Sequence, residues 1–181
     1  MSRKISEISR YLESLSAEEL IEEIKKLHKL FPDVREYYKV QLQDNGEEEL
    51  LAKCKKILQK AFSPYSDYSG PKLREARNAV NDFIKLSGNS SNIAEAMIYY
   101  AEMGVKFTND YGDINEAFYA SVENMYEKAA EYVNEHELKD KFVERFKKMA
   151  EETDGIGWGF HDTLVDIYLG HFNLPLRKSK W

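Results

Sequence analysis

One cysteine, four prolines and nine glycines are all that 181 residues hold of these types, and each shortage removes a class of protein. With Cys54 alone, no disulfide can close within the chain, and a zinc site built from several cysteines is excluded. Scarce Gly and Pro leave few obligatory breaks, so helix is favoured over sheet. No apolar run approaches the roughly 20 residues that a membrane span requires, so no membrane segment is expected. The N-terminal MSRKISEISRYLESL is charged throughout and lacks the apolar centre of a secretory signal, which points to a cytoplasmic protein. An excess of basic charge is also missing. The net charge of −6 disfavours general binding to nucleic acid or anionic membranes.

What the chain does contain is helical periodicity. Hydrophobic residues make up 43% and aromatics 13%, enough to fill the core of one folded domain rather than leave the chain disordered. Ile5, Ile8 and Leu12 mark a short first helix. In SLSAEELIEEIKKLHKLF, Ser16 and Glu19 form a capping-box pair, and Leu20, Ile24, Leu27 and Phe31 form the stripe expected to be buried. Pro32 suits the first turn of the next helix. Asn45-Gly46 is a turn, and EEELLAKCKKILQKAF follows with its glutamates at the end the helix dipole favours. Cys54 lies in phase with Leu50, Ile57 and Ala61 and is expected to pack as a small hydrophobe. Lys53, Lys55 and Lys56 around it supply the competing reading of a reactive thiol.

SPYSDYSGP, residues 63–71, is the clear break, read as a linker between an N-terminal sub-bundle, 1–62, and a C-terminal one, 72–175, within a single domain. Five further periodic segments follow, none alternating at period two. Short connections force neighbours to run antiparallel, so the expected fold is an all-α bundle of about eight or nine mostly antiparallel helices. No tetratricopeptide spacing and no period near 34 recurs, which disfavours a solenoid.

Two stretches depart from this pattern by combining Gly, Asn, Asp and aromatics. GIGWGFHDTLVDIY, residues 155–168, has glycines spaced like a phosphate loop. A dinucleotide fingerprint needs a preceding strand and a glycine where Phe160 stands, and a P-loop needs Gly-Lys-Ser/Thr. Asp162 and Asp166 would moreover repel a phosphate at the helix start. A packed helix–helix connection is the better reading. In it Gly155 ends one helix, Ile156, Trp158 and Phe160 pin the turn into the core, and Asp162 stabilises the free N–H groups of the last helix. His161-Asp162 also suggests metal-dependent hydrolysis, but His28 and His136 match no specific ligand spacing, so a structural histidine is the simpler account.

FTNDYGDINEAFY, residues 107–119, is the second stretch. Tyr111-Gly112 reads as a left-handed end to one helix, and Asp113, with Glu116 three later, as the N-cap of the next. Asn109, Asp110, Asp113 and Glu116 also offer oxygen ligands, though not at the spacing of a twelve-residue calcium loop. SLSAEELIEEI, taken with GVKFTNDYGDINEAFY and TDGIGWGFHDTLVDIY, resembles a family of uncharacterised bacterial helical proteins, catalogued as a domain of unknown function. The resemblance spans nearly the whole chain and implies a bacterial cytoplasmic origin. It supplies no catalytic residues to carry over.

Tyr37-Tyr38 and Tyr99-Tyr100 are adjacent pairs whose members point about 100° apart on a helix. One of each should pack while the other lies at a boundary, where tyrosine is enriched in interfaces. Basic residues are scattered among acids, and Arg177, Lys178 and Lys180 in the tail neutralise too few phosphates for strong nucleic-acid binding. The expected function is therefore a non-catalytic interaction or accessory protein that forms a homodimer or docks on a larger protein, with no cofactor. Its candidate contact or pocket residues are Asn109, Asp110, Tyr111, Asp113, Trp158, His161 and Asp162. Two alternatives stand beside it: a metal-assisted, hydrolase-like enzyme with an acidic pocket where 109–116 and 155–166 come together, and an accessory factor of a nucleic-acid-processing complex.

Overall fold

The computed structural model describes residues 2–63 and 70–173. Its helices are α1 (Ser2–Glu13), α2 (Ala17–Leu30), α3 (Pro32–Leu42), α4 (Gly46–Ala61), α5 (Leu73–Leu86), α6 (Ser90–Tyr111), α7 (Glu116–Glu135), α8 (Lys139–Glu152) and α9 (Phe160–Phe172). No strand occurs among the described residues, so the all-α reading holds. Local chemistry accounts for several of the boundaries. At α2, Glu19 N–H donates to Ser16 Oγ at 3.2 Å and Ser16 N–H to Glu19 Oε2 at 2.8 Å, the reciprocal pair the sequence predicts. Pro32 opens α3. Asn89 caps α6 by accepting from Asn92 N–H at 3.1 Å.

One continuous core runs from Cys54 on α4 to Phe172 on α9. The longest helix, α6, packs against α4, α5, α7 and α8, while α9 lies across α7 and α8. Gly104 lets α6 and α7 approach closely: a Cβ there would stand 2.4 Å from Val122 Cγ2, inside any allowed contact. Tyr126 on α7 stacks edge-on against Phe146 of α8 at 5.0 Å and donates its hydroxyl to the Phe146 carbonyl at 2.9 Å. Tyr100 is fully buried, its hydroxyl 2.7 Å from Ser121 Oγ, while Tyr99 is half-buried. That pair divides between core and boundary as expected.

A charged cluster ties three helices on one flank. Lys55 of α4 meets Glu95 of α6 at 2.6 Å, and Arg145 of α8 grips Glu102 with two bonds of 2.7 Å while also bonding Glu95. All four side chains are mostly shielded from solvent, where such bonds are stronger than at an open surface.

The division of the chain differs from the sequence reading. Cys54, Leu58, Ala61 and Phe62 lie in the same core as α5 to α9, so α4 groups with the helices after the break. The reason is that α4 carries a face of small and apolar residues that α5 and α6 cover. Residues 64–69 of the expected linker lie outside the described residues. The flanks meet, Lys72 N–H donating to the Ala61 carbonyl at 2.8 Å. Cys54 is 3% exposed, and burial pushes its thiol up to about 11 against the smaller opposing influence of Lys55. That suits a packing role, since the thiolate is the reactive form.

The stripe of α2 is the larger correction. No residue of α2 is buried, and Ile24, Leu27 and Phe31 are exposed. Among the described residues, α3 is the one helix against which α2 packs beyond marginal contact, and α1 makes no more than marginal contact with any helix. Periodicity identifies which face of a helix is apolar but not whether its cover lies in the same chain.

Candidate functional site

The two unusual stretches meet at one end of the bundle. Gly112 closes α6 with φ +79° and donates its N–H to the Thr108 carbonyl at 2.8 Å, a conformation open to glycine at no steric cost. Tyr119, one turn into α7, then ties the connection together. Its hydroxyl donates to Asp113 Oδ1 at 3.2 Å, accepts from Ile114 N–H at 3.4 Å and lies 2.9 Å from Thr108 Oγ1. Its ring packs on Phe160, centroids 4.7 Å apart. Asn109 Nδ2 donates to the Glu152 carbonyl at 3.1 Å, which joins α6 to the end of α8. An Asp113 oxygen lies 3.4 Å from where a Cβ on Gly157 would stand.

Several residues take roles other than those expected. Asp113 is not the N-cap of α7. Asn115 is, accepting from Phe118 N–H at 3.0 Å, because the helix begins two residues later than the Asp113–Glu116 pairing implies. Trp158 is not buried but 64% exposed, with φ +64°. Gly155 and Gly159 are also left-handed, so the segment coils rather than extends. Alternate side chains therefore do not share one inward direction; Phe160 takes the core place, and Ile156 is half-buried. Asp162 lies in the first turn of α9 without a capping hydrogen bond, and Gly159 holds the cap position. A left-handed tryptophan is strained. Trp158→Gly is therefore expected to keep or raise the denaturation midpoint by up to about 1 kcal/mol equivalent, and a loss of several times that in urea unfolding would return the ring to a structural role.

His161 is held by the fold. Thr153 is fully buried and donates its hydroxyl to the Ala150 carbonyl at 2.9 Å, so its oxygen accepts from His161 Nδ1, 3.2 Å away. Asp110 and Tyr111 line an open cleft of about 300 Å³ between α4 and α6, and Asn109 and Asp110 one of about 480 Å³ between α6 and α8. The charged pair on the wall of the second, Glu102 and Arg145, is spent on its own ion pair. The histidine and acids of the two stretches meet as neighbouring loops without forming a three-ligand set. Among the described residues, the one group of that kind is Glu127, Glu131 and His171, whose ligand atoms lie within 4.8 Å of one another on the α7–α9 face. The i, i+4 glutamates are legible in the sequence, but the packing of α9 that brings His171 to them is not.

Apolar surface is concentrated elsewhere. Ile8, Tyr11 and Leu12 of α1, Ile21, Ile24, Leu27 and Leu30 of α2, and Phe31 beyond it are each 38–59% exposed. No described helix is long and apolar enough to cross a membrane. No curated protein and no solved structure matches the chain. A family model does match residues 1–170, a span that takes in the exposed N-terminal helices as well as both unusual connections. The chain belongs to that family, a family of unknown function designated DUF6155.

Proposed function

We propose that this is a non-catalytic interaction protein, a helical bundle that self-associates or docks on a larger protein through the apolar faces of α1 and α2. The observation that carries the reading is that α2 buries none of its residues while presenting a regular apolar stripe. Ile21, Ile24, Leu27 and Leu30 of α2 and Phe31 just beyond it are each exposed, a concentration of large apolar side chains of the kind that marks interaction surfaces. Tyr111 and Trp158, both exposed at the opposite set of connections, supply a second place of the kind aromatic anchors favour. A cytoplasmic setting belongs to the same proposal, supported by the single buried cysteine, which leaves no disulfide within the chain.

The test compares the wild type with Ile24→Glu/Leu27→Glu, which places two charges on a surface the fold itself does not use. The variant should keep its helical circular dichroism spectrum and thermal midpoint. It should lose whatever the wild type gains in light-scattering mass or in cross-linked partner from its host. A wild type that is strictly monomeric and captures the same set of proteins as the variant would overturn the reading.

A further inference from the structure

Two glutamates and a histidine converge on the face where α7 meets the end of α9. Glu127 and Glu131 stand one turn apart on α7, a spacing that puts both on one side of the helix. His171 comes from the last turn of α9, at the far end of that helix from His161. One ligand atom from each of the three lies within 4.8 Å of the others. We propose that they form a site for one divalent transition-metal ion, of which zinc is the type, and that the ion braces α7 to the end of α9. Such a site is independent of the interaction reading above.

The donor set selects the class of ion. Magnesium and calcium bind through oxygen, whereas an imidazole beside carboxylates suits zinc and its first-row neighbours. Bonds of about 2.0–2.2 Å to zinc bring ligand atoms to roughly 3.3 Å from one another. Atoms already gathered within 4.8 Å need only side-chain rotations to close on one ion, and both glutamates are exposed. The backbones that carry the ligands are held by the core, since Ala129, Ala130 and Val133 of α7 and Phe172 of α9 are 0–1% exposed. Asn134, on the same side of α7, donates from Nδ2 to the His171 carbonyl at 3.1 Å. That nitrogen is also 3.4 Å from His171 Nδ1, a long contact that the ring can exchange for a cation while the carbonyl bond keeps the end of α9 in place. Charge supplies the driving force. Two carboxylates at i, i+4 repel one another, and among the described residues neither side chain has a hydrogen bond or an ion pair. Lys139, which reaches this end of α9, donates instead to the Phe172 carbonyl at 2.9 Å. A divalent cation between the carboxylates replaces their repulsion with attraction to a shared centre.

The full chain, stripped of metal with EDTA and held at about pH 7.5, where an imidazole is mostly neutral, would be titrated with zinc chloride by calorimetry. It would also be melted with and without zinc, with magnesium and calcium chloride as controls. We expect one zinc ion to bind per chain and to raise the thermal midpoint, and no such rise with magnesium or calcium. Removing a group that only orients a metal ligand weakens binding by about tenfold or more, so Glu127→Gln, Glu131→Gln and His171→Gln should each weaken zinc binding by at least about that factor. His136→Gln, at an exposed histidine outside the set, should leave it unchanged. The two Glu→Gln variants also tell a ligand from a structural group. Without metal they should melt at or above the wild-type midpoint, because a like-charge repulsion is gone, and with zinc they should melt below it. A wild type that zinc neither binds nor stabilises overturns the site. Zinc binding that survives Glu127→Gln/Glu131→Gln, or that is lost in His136→Gln, places the ion elsewhere and overturns it equally. An equal response to magnesium reports charge alone and overturns the transition-metal assignment.

Discussion

Tyr119→Ala should lower the unfolding free energy by about 3–5 kcal/mol, the range for a large aromatic lost from a core. The residue is 2% exposed, and its ring fills the space between α7 and Phe160 while its hydroxyl joins Thr108, Asp113 and Ile114. Tyr119→Phe keeps the packing and removes only the hydroxyl, so it should cost about 1–2 kcal/mol. Urea unfolding followed by circular dichroism separates the two. Amide exchange should quicken in residues 109–116 and 153–160 for both variants, because the same side chain holds the two connections together. Equal small losses would show that Phe160 and Asn109 suffice to join these loops and that Tyr119 is not the tie.

The second large effect is expected at Arg145. Arg145→Met removes the group that holds both Glu95 and Glu102 and leaves two shielded carboxylates without their fork, for a loss of about 2–4 kcal/mol after allowance for partial exposure. The pH dependence has a definite sign. Burial pushes the Glu95 carboxyl up, but hydrogen bonds and charge from Lys55 and Arg145 outweigh it and hold the group below its ordinary value of 4.5. The folded protein therefore takes up this proton less readily than the unfolded chain. The stabilisation is fully present above pH 4.5 and is lost as the pH falls through the lowered folded value. Denaturant unfolding across that range should show the wild type losing stability in acid and Arg145→Met losing less from this source. Glu95→Gln/Glu102→Gln added to Arg145→Met should recover part of the neutral-pH loss, since no unpaired charge then remains. Parallel acid profiles for wild type and Arg145→Met would remove the cluster from the account.

The capping box of Ser16 and Glu19, the first-turn Pro32 and the glycine at 112 show how much was legible before packing. Each depends on atoms within about one helical turn, so the residues present settle the matter locally. The same short range explains the misreadings. Asp113 and Asn115 are both competent caps, and the buried position of Phe118 and Tyr119 selects where α7 begins. Trp158 between glycines is compatible with an inward or an outward ring, and the left-handed coil of 155–159 turns it out. In the candidate site, the sequence offers the meeting of 109–116 with 155–166 only as a condition of the enzyme alternative, and it is packing that puts His161 on Thr153 and Asp113 on Tyr119.

Composition and periodicity by themselves determined that this protein is all-helical, without disulfides, and built around apolar stripes on nearly every helix, because those properties follow from residue type and from spacing along one backbone. Tertiary structure alone decided which stripes find a cover. The face of α4 is closed by α5 and α6, whereas the face of α2, equally regular in sequence, is left open beside α3. A stripe records that burial is favourable, and only the arrangement of the whole chain determines whether the burying surface is its own.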